Sequence, residues 1–535
     1  MTPVSLGLDF GTESVRAVLI DAGGAELGVG TSAYRHGQIT KTLPQGGDPL
    51  PAEYALQHPE DWIESAAQAT RHALSQAKIK ADAVVGIGVD FTSCTMLPTK
   101  SDGTPLCLLE SFQGVPLAWP KLWKHHGALS QTERMNELAR QRGESFLDRY
   151  GGIIGLEWFF PKMLETIELS PEVAAAAEVW LEAGDWFVWR LVGCEAEVLP
   201  RSTCQAGYKA LWSAEDGYAS EAYLDAVHPE LGRAARTKMP GRLLSPGETA
   251  GTLTAEMADR FGLTPGIAVS AATIDAHAAV PGVGAAEPGT LVMVLGTSSC
   301  HMLNSGSGHP VPGVAGIVRG GILPGMYGYE TGQAAVGDAF AWLLRLLNLK
   351  SFHELTDRAM SLPPGADGVM CLDWMNGCRT PLMDGSLRGA FTGLTLAHDG
   401  AHLYRALLEA SGFGLRWIVD VLRDGGVAVD RFVATGGLPH HNPAVVQVYA
   451  DVLGETIEIH PSEQGPAVGA AVLGMVAAGA QRSGFADVTE ASTAMAAIPH
   501  EHRQFVFPNP DHQTQYDGLY RQYRVLADVM SQGRS

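Results

Sequence analysis

Three stretches of this 535-residue chain carry side chains whose type and spacing could handle phosphate. The first is Asp9-Phe10-Gly11-Thr12-Glu13-Ser14. Gly11 would let backbone approach a phosphate, Thr12 and Ser14 would donate hydroxyl and N–H hydrogen bonds, and Asp9 could hold a hydrated Mg2+. Nearly the same turn returns at Gly296-Thr297-Ser298-Ser299, with Val294 in the place of Asp9, so only one copy brings a carboxylate. The third is Thr435-Gly436-Gly437, whose missing side chains would admit the face of an adenine or a ribose. Each also reads as an ordinary turn, and it is the recurrence that favours phosphate. Asp275 ends an apolar run and precedes Ala276-His277-Ala278, which suits either a base that takes a proton from a hydroxyl or a helix N-cap.

Other chemistries are excluded by pattern. No glycine is followed by lysine, so a P-loop is absent, and Gly282-Val283-Gly284 runs on as Ala-Ala-Glu rather than as a dinucleotide fingerprint. His125-His126 and His440-His441 are adjacent pairs whose rings project apart and lack a third ligand at metal spacing, so zinc is not expected. The seven cysteines form no two-residue spacing of the zinc or redox type, which fits reduced thiols in a cytoplasm.

The elements that must position these groups follow from periodicity. Val4 to Asp9 and Val15 to Ile20 read as a hairpin around the first turn, and Leu27 to Thr31 as a third strand after Gly23-Gly24. A helix begins near Pro59 and Asp61, with Trp62, Ala66, Ala69, Ala73 and Ala77 on one face. Val84 to Val89 is an apolar strand that runs out at Asp90-Phe91-Thr92-Ser93, where ligands usually sit in open α/β sheets. About Leu106 to Gly241 the pattern is mixed, which suggests an elaboration over a substrate, and Ile267 to Ile274 reads as one buried strand ending in Asp275. Thr290 to Leu295 and Cys300 to Leu303 repeat the first hairpin, His402 to Arg423 reads as a long helix stopped by Gly425-Gly426, and Phe432 to Thr435 reads as a strand. Two halves facing each other would make a cleft with phosphate-binding turns on both walls.

Length fits two domains, expected at 1–284 and 285–535. With 46% hydrophobic and 18% charged residues the chain is globular, and a dispersed net charge of -21 disfavours nucleic acid and anionic membrane as partners while leaving a polyphosphate ligand possible. The start lacks the features of a signal peptide, and Gly465 to Ala480 is too short and too rich in Gly and Ala for a usual membrane span.

Taken together, Leu8 through Ala17, Thr273 through Ala278, Leu295-Gly296-Thr297-Ser298, Thr435-Gly436-Gly437 and Gly389 through Glu409 resemble the FGGY carbohydrate kinases, over about residues 4 to 480. The resemblance implies two RNase H-like α/β domains of actin type flanking a cleft, a soluble cytoplasmic enzyme using ATP and Mg2+, and possible homodimers. Gly88 through Pro98, Lys121 through His126 and Tyr329 through Gln333 narrow the likeness to members acting on a ketopentose. That implies transfer of the ATP γ-phosphoryl group to O5 of L-ribulose in L-arabinose catabolism, with D-ribulose or xylulose as alternatives. Carried over by position, Ser93, Trp123, Lys209, Asp275 and Glu330 would contact the sugar, with Asp275 as base. Gly11, Thr12, Ser14 and Arg16 on one wall and Gly296 and Thr297 on the other would flank the phosphates, Asp9 would hold the metal, and Gly337, Gly436, Gly437 and Asn442 would lie near the nucleoside. Departure from other subfamilies at Leu438-Pro439-His440-His441 bears on those last positions. Two rivals from other classes are an actin- or chaperone-type ATPase, which would need no sugar, and a non-catalytic sugar sensor. Trp123, Lys209 and Glu330 argue against the first, and Asp9 with Asp275 against the second.

Overall fold

Strand β1 (Val4–Phe10) returns as β2 (Ser14–Asp21) and then β3 (Glu26–Ala33), all antiparallel, with Leu6, Leu8, Val15, Ala17 and Leu19 facing one core and Val18 and Ile20 facing another on the opposite side of the sheet. Helix α1 (Pro59–Ala77) starts at Pro59 behind the N-cap His58 and lays Trp62, Ala66, Ala69 and Ala73 on this sheet. It leads to β4 (Val84–Phe91), parallel to β1. A region with its own apolar core follows and contains α2 (Phe159–Leu169) and α3 (Thr203–Lys209). The chain then returns as β5 (Thr249–Thr252), β6 (Ala268–Ser270) and β7 (Thr273–Ile274), and enters α4 (Asp275–Gly282).

The second half repeats the plan. Strands β8 (Thr290–Leu295), β9 (Ser299–Ser305), β10 (Gly316–Arg319) and β11 (Tyr327–Gln333) precede α5 (Gly337–Leu346) and the long α6 (Gly400–Asp424). Then come β12 (Arg431–Thr435), the short α7 (Gly437–His441), α8 (Pro443–Leu453), β13 (Ile457–Ile459), α9 (Gly465–Ala477), β14 (Gln504–Val506) and α10 (Pro510–Gln532). The computed structural model describes residues 2–496, 498 and 502–532.

The two seven-stranded sheets have orders β3-β2-β1-β4-β6-β5, with β7 also on β4, and β10-β11-β9-β8-β12-β13-β14. On one side of the first strand lie antiparallel strands, β2 and β3 beside β1 and β9, β11 and β10 beside β8; on the other side the neighbours are parallel up to an antiparallel edge strand, β5 or β14, which is the duplicated RNase H-like plan. Helices α5, α6, α8 and α10 share the apolar core of the second sheet, and α1 that of the first. Between the sheets lies a further core that joins Val18 and Ile20 of the first, Val292 and Val433 of the second, and Val468, Ala471 and Val472 of α9.

Helix α9 explains the Gly/Ala run. A Cβ on Gly88 of β4 would fall 1.6 Å from the Ala470 carbonyl oxygen, and one on Gly469 would fall 1.7 Å from that of Ala278 in α4. The helix therefore touches strand and helix backbone directly, which only glycine permits. Among the described residues, no helix is long and apolar enough to cross a membrane.

Two expected elements differ. The long helix begins at Gly400, two residues earlier than its apolar periodicity indicates, because Asp399 accepts from the Ala401 N–H and His402 reaches back to complete a capping box. The single strand expected over Ile267 to Ile274 is two strands. Val269 pairs with Ile87 and Thr273 with Asp90, so four steps on one strand match three on its neighbour, a one-residue bulge.

Candidate active site

Parallel pairing sets Asp9 directly beside Asp90 at the ends of β1 and β4, and the bulge aligns Thr273 with Asp90. Asp275, two residues on, returns to the face of Thr273, so three carboxylates gather where three adjacent strands end. Asp9 lies opposite Arg16 across the hairpin, with 3.6 Å between the charged groups. Asp90 is fully buried, and apart from the neighbouring Asp9 carboxyl its oxygens meet no hydrogen-bonding group among the described residues. Burial, then the Asp9 and Asp275 charges, raises the Asp90 pKa well above its ordinary value. Burial likewise raises Asp9, against the pull of Arg16. Asp275 is pushed up to about 7, first by burial and then by Asp9. Its Oδ1 accepts from the Ala276 N–H at 2.7 Å, and the N-cap position belongs to Ile274, whose side chain caps nothing. Oδ2 is left without a protein partner among the described residues, as a base requires.

Across from these acids stands a buried cationic group. The Lys209 ammonium on α3 donates to both oxygens of Glu330 on β11, at 2.8 and 2.9 Å, and joins the two lobes. Arg379 also donates to Glu330, and His277 lies 3.4 Å from it. Burial works to raise the Glu330 pKa, but Lys209 and Arg379 outweigh it and hold the carboxyl well below its usual range. Glu330 is 1% exposed and Lys209 5%, so neither is a surface charge. Trp123 edges the apolar core of the region that contains α2, and its Nε1–H donates to Thr12 Oγ1 at 3.1 Å, tying a residue expected at the sugar to the first phosphate turn. Ser93 is half-buried, next to Cys94, which holds a left-handed φ of 57°.

The phosphate turns are alike. Gly11 N–H donates to Ser14 O at 3.0 Å, and Gly296 N–H to Ser298 O at 3.0 Å. Thr12 and Ser14 are half-buried, while Gly296 and Thr297 are exposed. The N–H groups of Val336 and Asp338 donate to Thr297 O, and that of Gly337 to Gly296 O, which sets the start of α5 against the second turn. Gly436, at φ 91°, turns the chain out of β12 into α7 and leads to Gly437. Asn442 is 7% exposed and its amide donates to Tyr404 Oη at 2.6 Å, so this side chain is engaged inside the second lobe.

His125 is buried against Glu165 at 2.8 Å, a packed pair and not a ligand set. The cluster His36, His58 and Asp61 has metal-ligand residue types, but His36 Nδ1 is bonded to Asp61 and His58 Nδ1 caps α1. A neutral His58 that accepts at Nδ1 carries its proton on Nε2, which leaves no lone pair there for a metal.

Comparison with known proteins matches residues 4–282 to the N-terminal domain, and 291–478 to the C-terminal domain, of the FGGY family of carbohydrate kinases. The chain belongs to that family. As an FGGY kinase it takes ATP and a sugar as substrates. It is 43% identical to a ribulokinase of Geobacillus thermodenitrificans, covering 99% of this chain and 95% of the relative, and 42% identical to one of Mycolicibacterium smegmatis, covering 98% and 93%. Solved FGGY-like structures share the fold: a xylulose kinase from Rhodospirillum rubrum (TM-score 0.77, 24% identity, 98% and 99% covered) and a gluconate kinase from Lactobacillus acidophilus (0.80, 19%, 99% and 99%).

Asp90, His277 and Arg379 were not among the site residues read from sequence. The one signal for Asp90 was a carboxylate at a strand end, two residues before the polar pair Thr92-Ser93. Arg379 sits in an aperiodic segment and gives no sequence signal.

Proposed function

We propose that this FGGY kinase is a ribulokinase, transferring the γ-phosphoryl group of ATP to O5 of L-ribulose in L-arabinose catabolism. The observation that carries this is the buried Lys209–Glu330 pair spanning the lobes beside the partnerless Oδ2 of Asp275, in a chain 43% identical over nearly its whole length to ribulokinases. Hydroxyl-rich ligands are held by such charged, desolvated side chains.

In this reading Lys209, Glu330 and Ser93 hydrogen-bond the sugar hydroxyls, and the Trp123 ring covers an apolar sugar face and keeps water out. Asp275 accepts the O5 proton as O5 attacks the γ-phosphorus, the bond to the β,γ-bridging oxygen breaks, and ADP leaves with that electron pair. The turns at Gly11-Thr12-Ser14 and Gly296-Thr297 donate N–H and hydroxyl hydrogen bonds to the phosphates, Arg16 adds charge, and Gly337, Gly436 and Gly437 border the nucleoside. The acids fit a divalent cation: all donors are oxygens, and the buried Asp90 carboxyl has no hydrogen-bonding neighbour among the described residues except the Asp9 carboxyl. Asp9 would hold Mg2+, which when bound neutralises phosphate charge.

A coupled ADP-release assay against L-ribulose, D-ribulose, L-xylulose and D-xylulose tests the reading. L-ribulose should give the highest kcat/KM. ATP turnover that no pentulose stimulates would remove the sugar-kinase assignment of substrate.

A further inference from the structure

Lys162 sits on α2 with no exposed surface, and its ammonium donates to the carbonyl oxygens of Cys94 and Leu122, both at 2.8 Å. It forms no ion pair among the described residues, and burial pushes its pKa down. A charge buried this way is costly unless it does something an apolar residue cannot. The two carbonyls it joins are 28 residues apart in sequence, and each adjoins a residue assigned to the sugar: Cys94 follows Ser93, and Leu122 precedes Trp123. Cys94 holds a left-handed φ of 57°, a conformation that non-glycine residues adopt only when surroundings enforce it. Trp123 in turn donates to Thr12 of the first phosphate turn at 3.1 Å.

We propose that Lys162 is a positioning residue for sugar recognition: its ammonium clamps the Ser93 loop to the Trp123 segment and thereby sets the spacing of that wall of the sugar site. The inference rests on the sugar-kinase reading above. Without the clamp, two buried carbonyls lose their donor and the strained Cys94 turn loses what holds it, so Ser93 and Trp123 no longer stand at a fixed separation. A cation that served only the stability of the core around α2 would leave sugar affinity alone.

The test is Lys162→Met in the full chain, which keeps an unbranched side chain one atom shorter and removes every donor. With L-ribulose as the varied substrate, KM should rise at least about tenfold while KM for ATP stays within about twofold. Ser93→Ala should raise the L-ribulose KM in the parent and add little in the Lys162→Met background, because the serine is already displaced. An L-ribulose KM within twofold of the parent, or a Ser93→Ala effect that multiplies in full, overturns the proposal. If the Met variant does not fold, Lys162→Leu, which also removes every donor, is read in the same way; failure of both to fold shows a purely structural role and also overturns it. A parent that does not turn over L-ribulose refutes the substrate assignment, and the inference with it, whereas an active parent with an indifferent Lys162→Met refutes the clamp alone.

Discussion

Asp275→Asn should cost activity and restore stability, and the two effects have a common origin. The carboxyl is pushed from 3.8 to about 7 by burial and by Asp9. At about 1.4 kcal/mol per pKa unit, ionising it in the folded chain costs at most about 4 kcal/mol at pH 8 relative to the unfolded chain. The sign follows from linkage. Between pH 4 and 7 the folded state binds the proton that the unfolded state has released, so stability falls as pH rises through that window and levels off above about 7. An asparagine has no proton to lose. The variant should therefore melt with the parent near pH 4 and progressively above it toward pH 8, by up to about 10 °C for a lobe of this size. These melts are run in EDTA, so that no divalent cation offsets the charge. Turnover should fall by roughly 10² to 10⁴ because the base is gone. In the parent, kcat/KM should drop about tenfold per pH unit below about pH 7, as Asp275 protonates. Scanning calorimetry and the ADP-release assay read both arms. Coincident melting curves at pH 8, or turnover within threefold of the parent, would refute the assignment of Asp275 as a buried, electrostatically raised base.

Asp9→Asn should raise the Mg2+ concentration for half-maximal turnover by about tenfold or more with little change in the sugar KM; a Mg2+ titration matching the parent removes Asp9 as ligand. Glu330→Gln leaves Lys209 and Arg379 facing each other without their counter-ion, so denaturant melts should show a loss of about 3–5 kcal/mol, and adding Lys209→Met should recover part of it. Gly88→Ala puts a methyl group into the Ala470 carbonyl, and soluble protein with an unchanged urea midpoint would show that α9 is not seated there.

Features resting on neighbours in sequence were legible before any coordinates. The Gly-Thr-x-Ser turns, the alanine face of α1 and the run ending in Asp275 each announce themselves within a dozen residues. What was hidden depends on distant pairing. Lys209 and Glu330 are 121 residues apart, and whether they are surface charges or a buried bridge is decided only when the lobes meet. Asp90 acquires meaning from the parallel register that sets it beside Asp9, and that register leaves no mark in either strand alone. The bulge before Asp275 escaped because Ala271-Ala272 are as apolar as the strand around them, so periodicity could not show the extra residue. Lys162 gives no signal in the sequence, where nothing says that its ammonium meets two carbonyls.

Helix α9, encoded late, lies on strands encoded first. During synthesis the first sheet is complete once Ile274 has emerged, yet it lacks cover on one face until Gly465 to Ala477 follow. At roughly 5–20 residues per second the roughly 190 intervening residues take about 10 to 40 s, so the nascent sheet waits that long beside the ribosome with apolar surface bare. A gene cut between the halves would yield a first fragment that never receives its missing layer, and supplying the second half in trans is the way it could be rescued.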